Sequence, residues 1–189
     1  SLFFDYKLNL NEELPAVCGW SNSEYQPILA IGTRSGKVLF FTEEGERFND
    51  LEITRQSTPC EIVWHPYLSV VFICWEDGAI SHWSENSTSA KEEKSIHGCK
   101  IRGITISPDG TRMVTGDDHG VVGVWSISRG LNPICQFQKE GAITNLAFCA
   151  LANEHGEVPS FDQMNQYFFF AGSSGSVYLA DDMKRCSEM

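Results

Sequence analysis

The sequence predicts an all-β fold assembled from repeats of one antiparallel unit. Three observations predict it. A glycine set in a short polar turn recurs at Gly36, Gly78, Gly120 and Gly175, at spacings of 42, 42 and 55 residues. A second landmark keeps step: Trp20 in VCGWSN, Trp64 in EIVWHP, Ile106 in GITISPDG and Phe148 in NLAFC lie 44, 42 and 42 residues apart. The chain of 189 residues also carries 12 Phe, 5 Trp and 5 Tyr, side chains that suit pleated, half-buried surfaces.

Each unit reads in the same order: strand, turn, strand, tight turn, strand, then a variable polar strand. The second strands are the apolar runs ILAIG, VVFIC, RMVTG and YFFFAG. The tight turns follow them as TRS, WED, DDH and GSS, each closed by its glycine, which supplies the positive φ that a hairpin turn requires. The third strands then alternate, with Val38 and Phe40, Ile80 and His82, Val122 and Val124, and Val177 and Leu179 on one face. No stretch carries a helical period with caps. The last glycine gap is longer because a polar segment, Ala150–Gln166, reads as a surface loop between two strands of the final unit.

A period near 42 falls in the range of about 40–45 residues for the blades of a propeller. The expected architecture is an incomplete β-propeller of about three and a half blades, with blades at 15–57, 58–98, 99–140 and 141–189. Propellers close with about 4–8 blades because closure protects sheet edges. The chain is therefore expected to be the N-terminal piece of a longer protein, poorly soluble unless held by a partner. Strand 2–10 is expected to be the outer strand of the closing blade, and a free edge is expected at Tyr178.

The repeat also settles the stretch IGTRSGKV, which looks at first like a phosphate-binding loop. Such a loop needs four residues between its glycines, then Lys, then Ser or Thr. Here three residues separate Gly32 from Gly36, and Val38 stands where the hydroxyl belongs. The other units carry Ala79, Val121 and Ser176 in place of Lys37, so the lysine is a solvated strand start. GSSGS at Gly172–Ser176 is the fourth tight turn and not a nucleophile elbow.

The third unit, IHGCKIRGITISPDGTRMVTGDDHGVVGVWSI, resembles the WD40 repeat. His97 stands where the family has the histidine of Gly-His, although the order here is His-Gly. Asp117 and Asp118 are the candidates for its structural aspartate. Trp125 and Trp83 fit the family tryptophan, but Ser126 and Ser84 replace the aspartate that follows it. The resemblance implies structural duties for these residues and for Gly36, Gly78, Gly120 and Gly175. Histidine and aspartate bond within a blade, and tryptophan packs between blades. It implies no catalytic residue.

The order LFFDYKL, LAIGTRSGKVLFF, CEIVWHPYLSVVFICWEDGAISHW and ISPDGTRMVTGDDHGVVGVW is similar to the N-terminal propellers of the intraflagellar transport 140 family, subunits of ciliary transport complex A. The resemblance implies a scaffold that assembles with other subunits of that complex and contacts membrane-receptor cargo. It also implies a second propeller and a helical-repeat tail, and residence in the cytoplasm, the cilium and its basal body. A vesicle-coat-type or other adaptor propeller is the alternative. An enzyme or ligand-binding propeller would need convergent polar residues on one rim, and none recur.

Composition narrows the partners. A net charge of −11 and a pI near 4.8 disfavour nucleic acid and anionic membranes, which call for basic patches. Seven cysteines without a C-x-x-C pair, several inside apolar runs, read as buried thiols in a reducing compartment. There, the sequon at Asn86 has no use. The opening SLFFDYKLNL is not a signal peptide, and no apolar run of about 18 residues suggests a membrane span. His65, His82, His97, His119 and His155 are scattered, so no metal and no cofactor is expected. The charge clusters EEGER (Glu43–Arg47) and KEEK (Lys91–Lys94) read as solvated faces or partner rims.

Overall fold

The computed structural model describes residues 7–23, 26–128, 130–148 and 167–189, and the regular structure among them is β throughout. The first sheet holds β1 (Pro15–Trp20), β2 (Leu29–Thr33), β3 (Lys37–Phe41) and β4 (Arg47–Thr54). The second holds β5 (Pro59–Trp64), β6 (Val70–Trp75), β7 (Ile80–Ser84) and β8 (Lys91–Glu93). The third holds β9 (Ile101–Ile106), β10 (Arg112–Asp117), β11 (Val121–Ile127) and β12 (Leu131–Gln138). The fourth holds β13 (Ile143–Phe148), β14 (Tyr167–Gly172), β15 (Val177–Asp181) and β16 (Cys186–Glu188). Each sheet is an antiparallel meander in chain order. The inner strands β1, β5, β9 and β13 lie side by side, so the sheets are the blades of an incomplete β-propeller.

Face-to-face packing explains why the middle strands lose their alternation: both faces are covered. In β2 every residue is buried, and in β6 every residue after Val70. Between the first two blades, Ile28, Val38 and Phe40 meet Ile73, Trp64 and Trp83. Phe40 and Trp83 have ring centroids 5.1 Å apart. Between the second and third, Phe72, Cys74 and Ile80 meet Ile101, Met113 and Trp125. Between the third and fourth, Val122, Val124 and Phe137 meet Phe168 and Phe170. Trp83 and Trp125 thus each sit at a blade seam, burying large apolar area where it excludes most water. The outer strand β8 is short and charged, a form that discourages edge pairing.

The structure departs from the sequence expectation at its fourth blade. The described residues form four complete four-stranded sheets rather than three and a half blades. The edge expected at Tyr178 is covered, because Tyr178, Leu179 and Ala180 pair with Glu188, Ser187 and Cys186. A compact turn makes this pairing. Asp181 Oδ1 accepts from the backbone N–H groups of Met183 and Arg185 at 3.0 and 2.9 Å, and Lys184 takes a φ of +63°. A three-residue strand after such a turn leaves little trace in periodicity.

At the other end, residues 2–6 of the expected first strand lie outside the described residues. Residues 7–10 are irregular; Leu8 and Leu10 pack on Leu29, Ile31, Leu39 and Phe41 of the first blade. The expected loop at 150–166 also lies outside the described residues, with His155 and Cys149.

Candidate functional site

The polar centre of the third blade is drawn from a linker and two strands. His97, in the linker before β9, holds its Nδ1 2.8 Å from Asp117 Oδ2 and its Nε2 2.7 Å from Thr115 Oγ1. Trp125 Nε1 donates to the same Thr115 oxygen at 2.8 Å. Asp117 Oδ1 accepts from the backbone N–H groups of His119 and Val121, each at 2.9 Å, and so shapes the tight turn. Proton accounting fixes the tautomer. Trp125 can only donate. If His97 Nδ1–H donates to Asp117, then the Thr115 hydroxyl donates to Nε2 and every buried polar atom is satisfied. Burial holds the His97 pKa below its usual value, against the pull of Asp117. A protonated ring would leave the Thr115 proton without an acceptor.

The set has the form of a hydroxyl, imidazole and carboxylate triad, but it is sealed. Thr115 and Trp125 are fully buried, Asp117 is 1% exposed and His97 7%. Thr115 is fully buried beneath His97 and Trp125, which leaves no path for a carbonyl to reach its oxygen. What the arrangement does is tie the linker, two strands and the hairpin into one unit.

Gly123 makes room for it. A Cβ there would lie 2.7 Å from Ile96 Cδ1, 2.9 Å from Trp125 Nε1 and 3.0 Å from Thr115 Oγ1. Thr115 and Gly123 were not among the residues singled out from sequence. A threonine in an apolar run reads as an ordinary strand former, although its position two residues before the aspartate was available as a signal.

The other predicted residues fall as follows. Gly36, Gly78, Gly120 and Gly175 have φ values of +90°, +87°, +82° and +86°. The first three are also sockets. A Cβ on Gly78 would lie 2.7 Å from His97 O, and one on Gly36 or Gly120 would overlap Arg55 O or Lys139 O. Asp118 turns away from the buried set and pairs with Arg102 on the surface. Lys37 is paired with Glu13 at 2.8 Å, away from any ligand cradle.

His65 is buried. Its Nδ1 accepts from the backbone N–H of Tyr67 and Leu68, and its Nε2 reaches Gly110 O of the next blade at 3.0 Å. Burial lowers its pKa. His82 Nδ1 lies 2.7 Å from Glu93 Oε1, close enough for an ion pair if protonated but without hydrogen-bond alignment.

Cys60 donates its S–H toward Cys74 O and Ile101 O, and burial pushes its thiol up to about 12. Burial raises Cys74, Cys99 and Cys135 as well. Raised in this way, these thiols favour the protonated form, which is not the nucleophilic one. Among the described residues, no three His, Cys, Asp or Glu side chains gather as metal ligands, and no helix is long and apolar enough to cross a membrane.

Radial four-stranded blades, glycine hairpins and a buried His–Asp–Thr–Trp set define a propeller of WD-repeat type. The chain belongs to the IFT140 first beta-propeller family, whose description matches residues 1–159. The Periodic tryptophan protein 2 homolog of Dictyostelium discoideum is 21% identical over 155 residues, covering 82% of this chain and 16% of that protein. A chain of the "Crystal Structure of Mitotic Checkpoint Complex" shares the fold with a TM-score of 0.73 at 18% identity, over 93% of this chain and 50% of that one. The chain thus spans half or less of the length of these relatives.

Proposed function

We propose that this chain is a non-catalytic interaction platform of ciliary intraflagellar transport complex A, serving retrograde transport and ciliary delivery of membrane-protein cargo. The observation that carries the reading is the family match over residues 1–159. The geometry supports it: the triad-like constellation found among the described residues is sealed and spent on rigidity. Rigid blades present fixed surfaces, and a surface that does not reorganise binds at lower entropic cost. Its partners on this reading are other subunits of the complex and membrane-receptor cargo. Its location is the cytoplasm, the ciliary shaft and the basal body.

The test is made on the full-length protein in ciliated cells. A tagged copy is expected at the ciliary base and along the cilium, and to co-purify with other complex A subunits. Exclusion from cilia and basal bodies, with no complex A subunit retained, overturns the reading.

A further inference from the structure

A groove runs along the seam of the first two blades, on the side of the β3–β4 and β7–β8 turns. Its two adjoining hollows measure about 350 and 640 Å³. Ile28, Leu51 and Trp83 form an apolar floor, and Phe48 stands at the lip with 36% of its surface exposed. The floor is the outer margin of the seam cluster, so the blade packing itself holds it in place. Trp83 is further tethered by its Nε1–H to Ser87 O at 3.3 Å.

Two features mark the groove as more than a packing gap. The first is charge. Glu43, Glu44, Asp50 and Glu85 line the rim, and no lysine or arginine lines either hollow. None of the four is ion-paired among the described residues, while acidic side chains elsewhere, such as Glu13, Glu52, Glu76, Asp77 and Asp118, are. The second is a bulge. Between the pairs Leu39 with Glu52 and Phe41 with Arg47, residues 48–51 of β4 stand against Phe40 alone. The bulge pushes Phe48 and Asp50 outward on an edge strand and removes them from the regular ladder, a device that re-aims side chains beside binding sites.

We infer that this groove docks a segment of another protein carrying apolar or aromatic side chains flanked by lysines or arginines. It deepens the scaffold reading and rests on it. The apolar floor takes the anchors, and the unpaired carboxylates select for cations and reject acidic segments.

The probe is a fluorescein-labelled twelve-residue peptide alternating Lys with Leu and Phe, titrated into the full chain by fluorescence anisotropy at low salt. One control peptide has every Lys changed to Glu, and another has every Leu and Phe changed to Ser. The first peptide is expected to bind about tenfold tighter than either control, a difference that shrinks as salt screens the rim. Glu43→Lys with Glu85→Lys, and separately Phe48→Ser, are each expected to weaken it about tenfold at an unchanged melting temperature. Glu140→Lys with Glu188→Lys makes the same change in net charge at the fourth blade, away from the groove, and is expected to leave binding nearly intact.

Equal loss from the distant pair would mean bulk attraction to an acidic chain and would overturn the groove. So would equal binding of the Ser peptide, or self-association of the chain abolished by Phe48→Ser, which would make a second copy the occupant. A chain that retains complex A subunits but fails these tests loses the groove alone. One that passes them but retains no subunit keeps the groove and loses the scaffold assignment.

Discussion

The second and third blades place different chemistry in the same slot. In the third, linker residue His97 meets Asp117 at the end of β10. The residues 42 positions earlier in the second blade are Arg55 and Trp75, and the Arg55 guanidinium lies 5.1 Å from the Trp75 ring centroid. The hydroxyl of Thr115 has become Ile73, which needs no partner. Trp75 Nε1 finds Ser81 Oγ instead, at 3.0 Å, from the column that holds Gly123. The fourth blade makes a third version, with Lys139 Nζ 4.3 Å from the Tyr178 ring centroid. One requirement is common to all: the linker must be fastened to a hairpin. A buried hydrogen-bonded set and a cation over an aromatic face each satisfy it.

The largest expected effect sharpens the part of the slot that does not vary. In Gly120→Ala the new Cβ adopts positive φ and overlaps Lys139 O, whose own N–H donates to Gly120 O at 3.0 Å. Left-handed strain of about 1–2 kcal/mol then adds to overpacking of about 1–3 kcal/mol. Gly175 has nearly the same φ, but no described heavy atom lies within 4 Å of its added Cβ. Gly175→Ala is expected to cost only the strain, about 1–2 kcal/mol. Denaturant unfolding of both variants measures the difference; equal losses would mean the glycines are there for the hairpin alone.

Next comes Thr115→Val, which keeps the shape and removes the hydroxyl. His97 Nε2 and Trp125 Nε1 are left unpaired in a fully buried place, at a cost of about 2–4 kcal/mol. Its counterpart Ile73→Val is expected to cost about 0.5–1.5 kcal/mol. If the two are equal, the network is packing rather than bonding.

Much of this was legible in the residues. The glycine column follows from the 42-residue spacing, while the tryptophans between blades and the pairing of His97 with an aspartate of the TGDDHG turn were implied by the resemblance to the WD40 repeat. Sequence left two aspartates open, and geometry chose Asp117 because its side chain points inward from β10 while Asp118 meets Arg102 at the surface. Thr115 and Gly123 were illegible because each is an ordinary strand residue until its cross-strand neighbour is known. The Arg55–Trp75 contact was hidden for a related reason: a cation over a ring leaves no motif. β16 was missed because its turn is built by Asp181 and a non-glycine residue at positive φ.

Acid separates the buried histidines from the cation over the ring. In the unfolded chain a histidine takes up its proton near pH 6.5. Burial lowers this for His97 and His65 in the folded chain. The folded state then binds fewer protons than the unfolded one as pH falls through about 6.5. Stability is whole above that value and declines below it, down to the folded-state values. Glu61, raised by burial, acts in the opposite sense at more acid pH, so the comparison is between variants. Unfolding free energy between pH 7.5 and 5.5 is expected to slope less in His97→Gln and in His65→Gln than in the parent chain, and to slope unchanged in Arg55→Met. A parallel fall in all of them would place the acid sensitivity elsewhere.

The smallest effect tests the second blade's own solution. Arg55→Met keeps the aliphatic cover over Trp75 and removes the charge, together with the ion pairs to Asp77 and Glu92 at 3.2 and 3.3 Å. Trp75 stays buried and bonded to Ser81, and no polar atom in the slot is orphaned. The expected loss is about 0.5–1 kcal/mol, well below that of Thr115→Val. The ranking follows from what each change strands: a hydroxyl removed from a sealed set leaves two unpaired groups in the dry, while a cation removed from a ring leaves a ring that was already packed. A loss from Arg55→Met as large as that from Thr115→Val would show that the second blade depends on its charge, and that the two slots are equivalent in energy as well as in place.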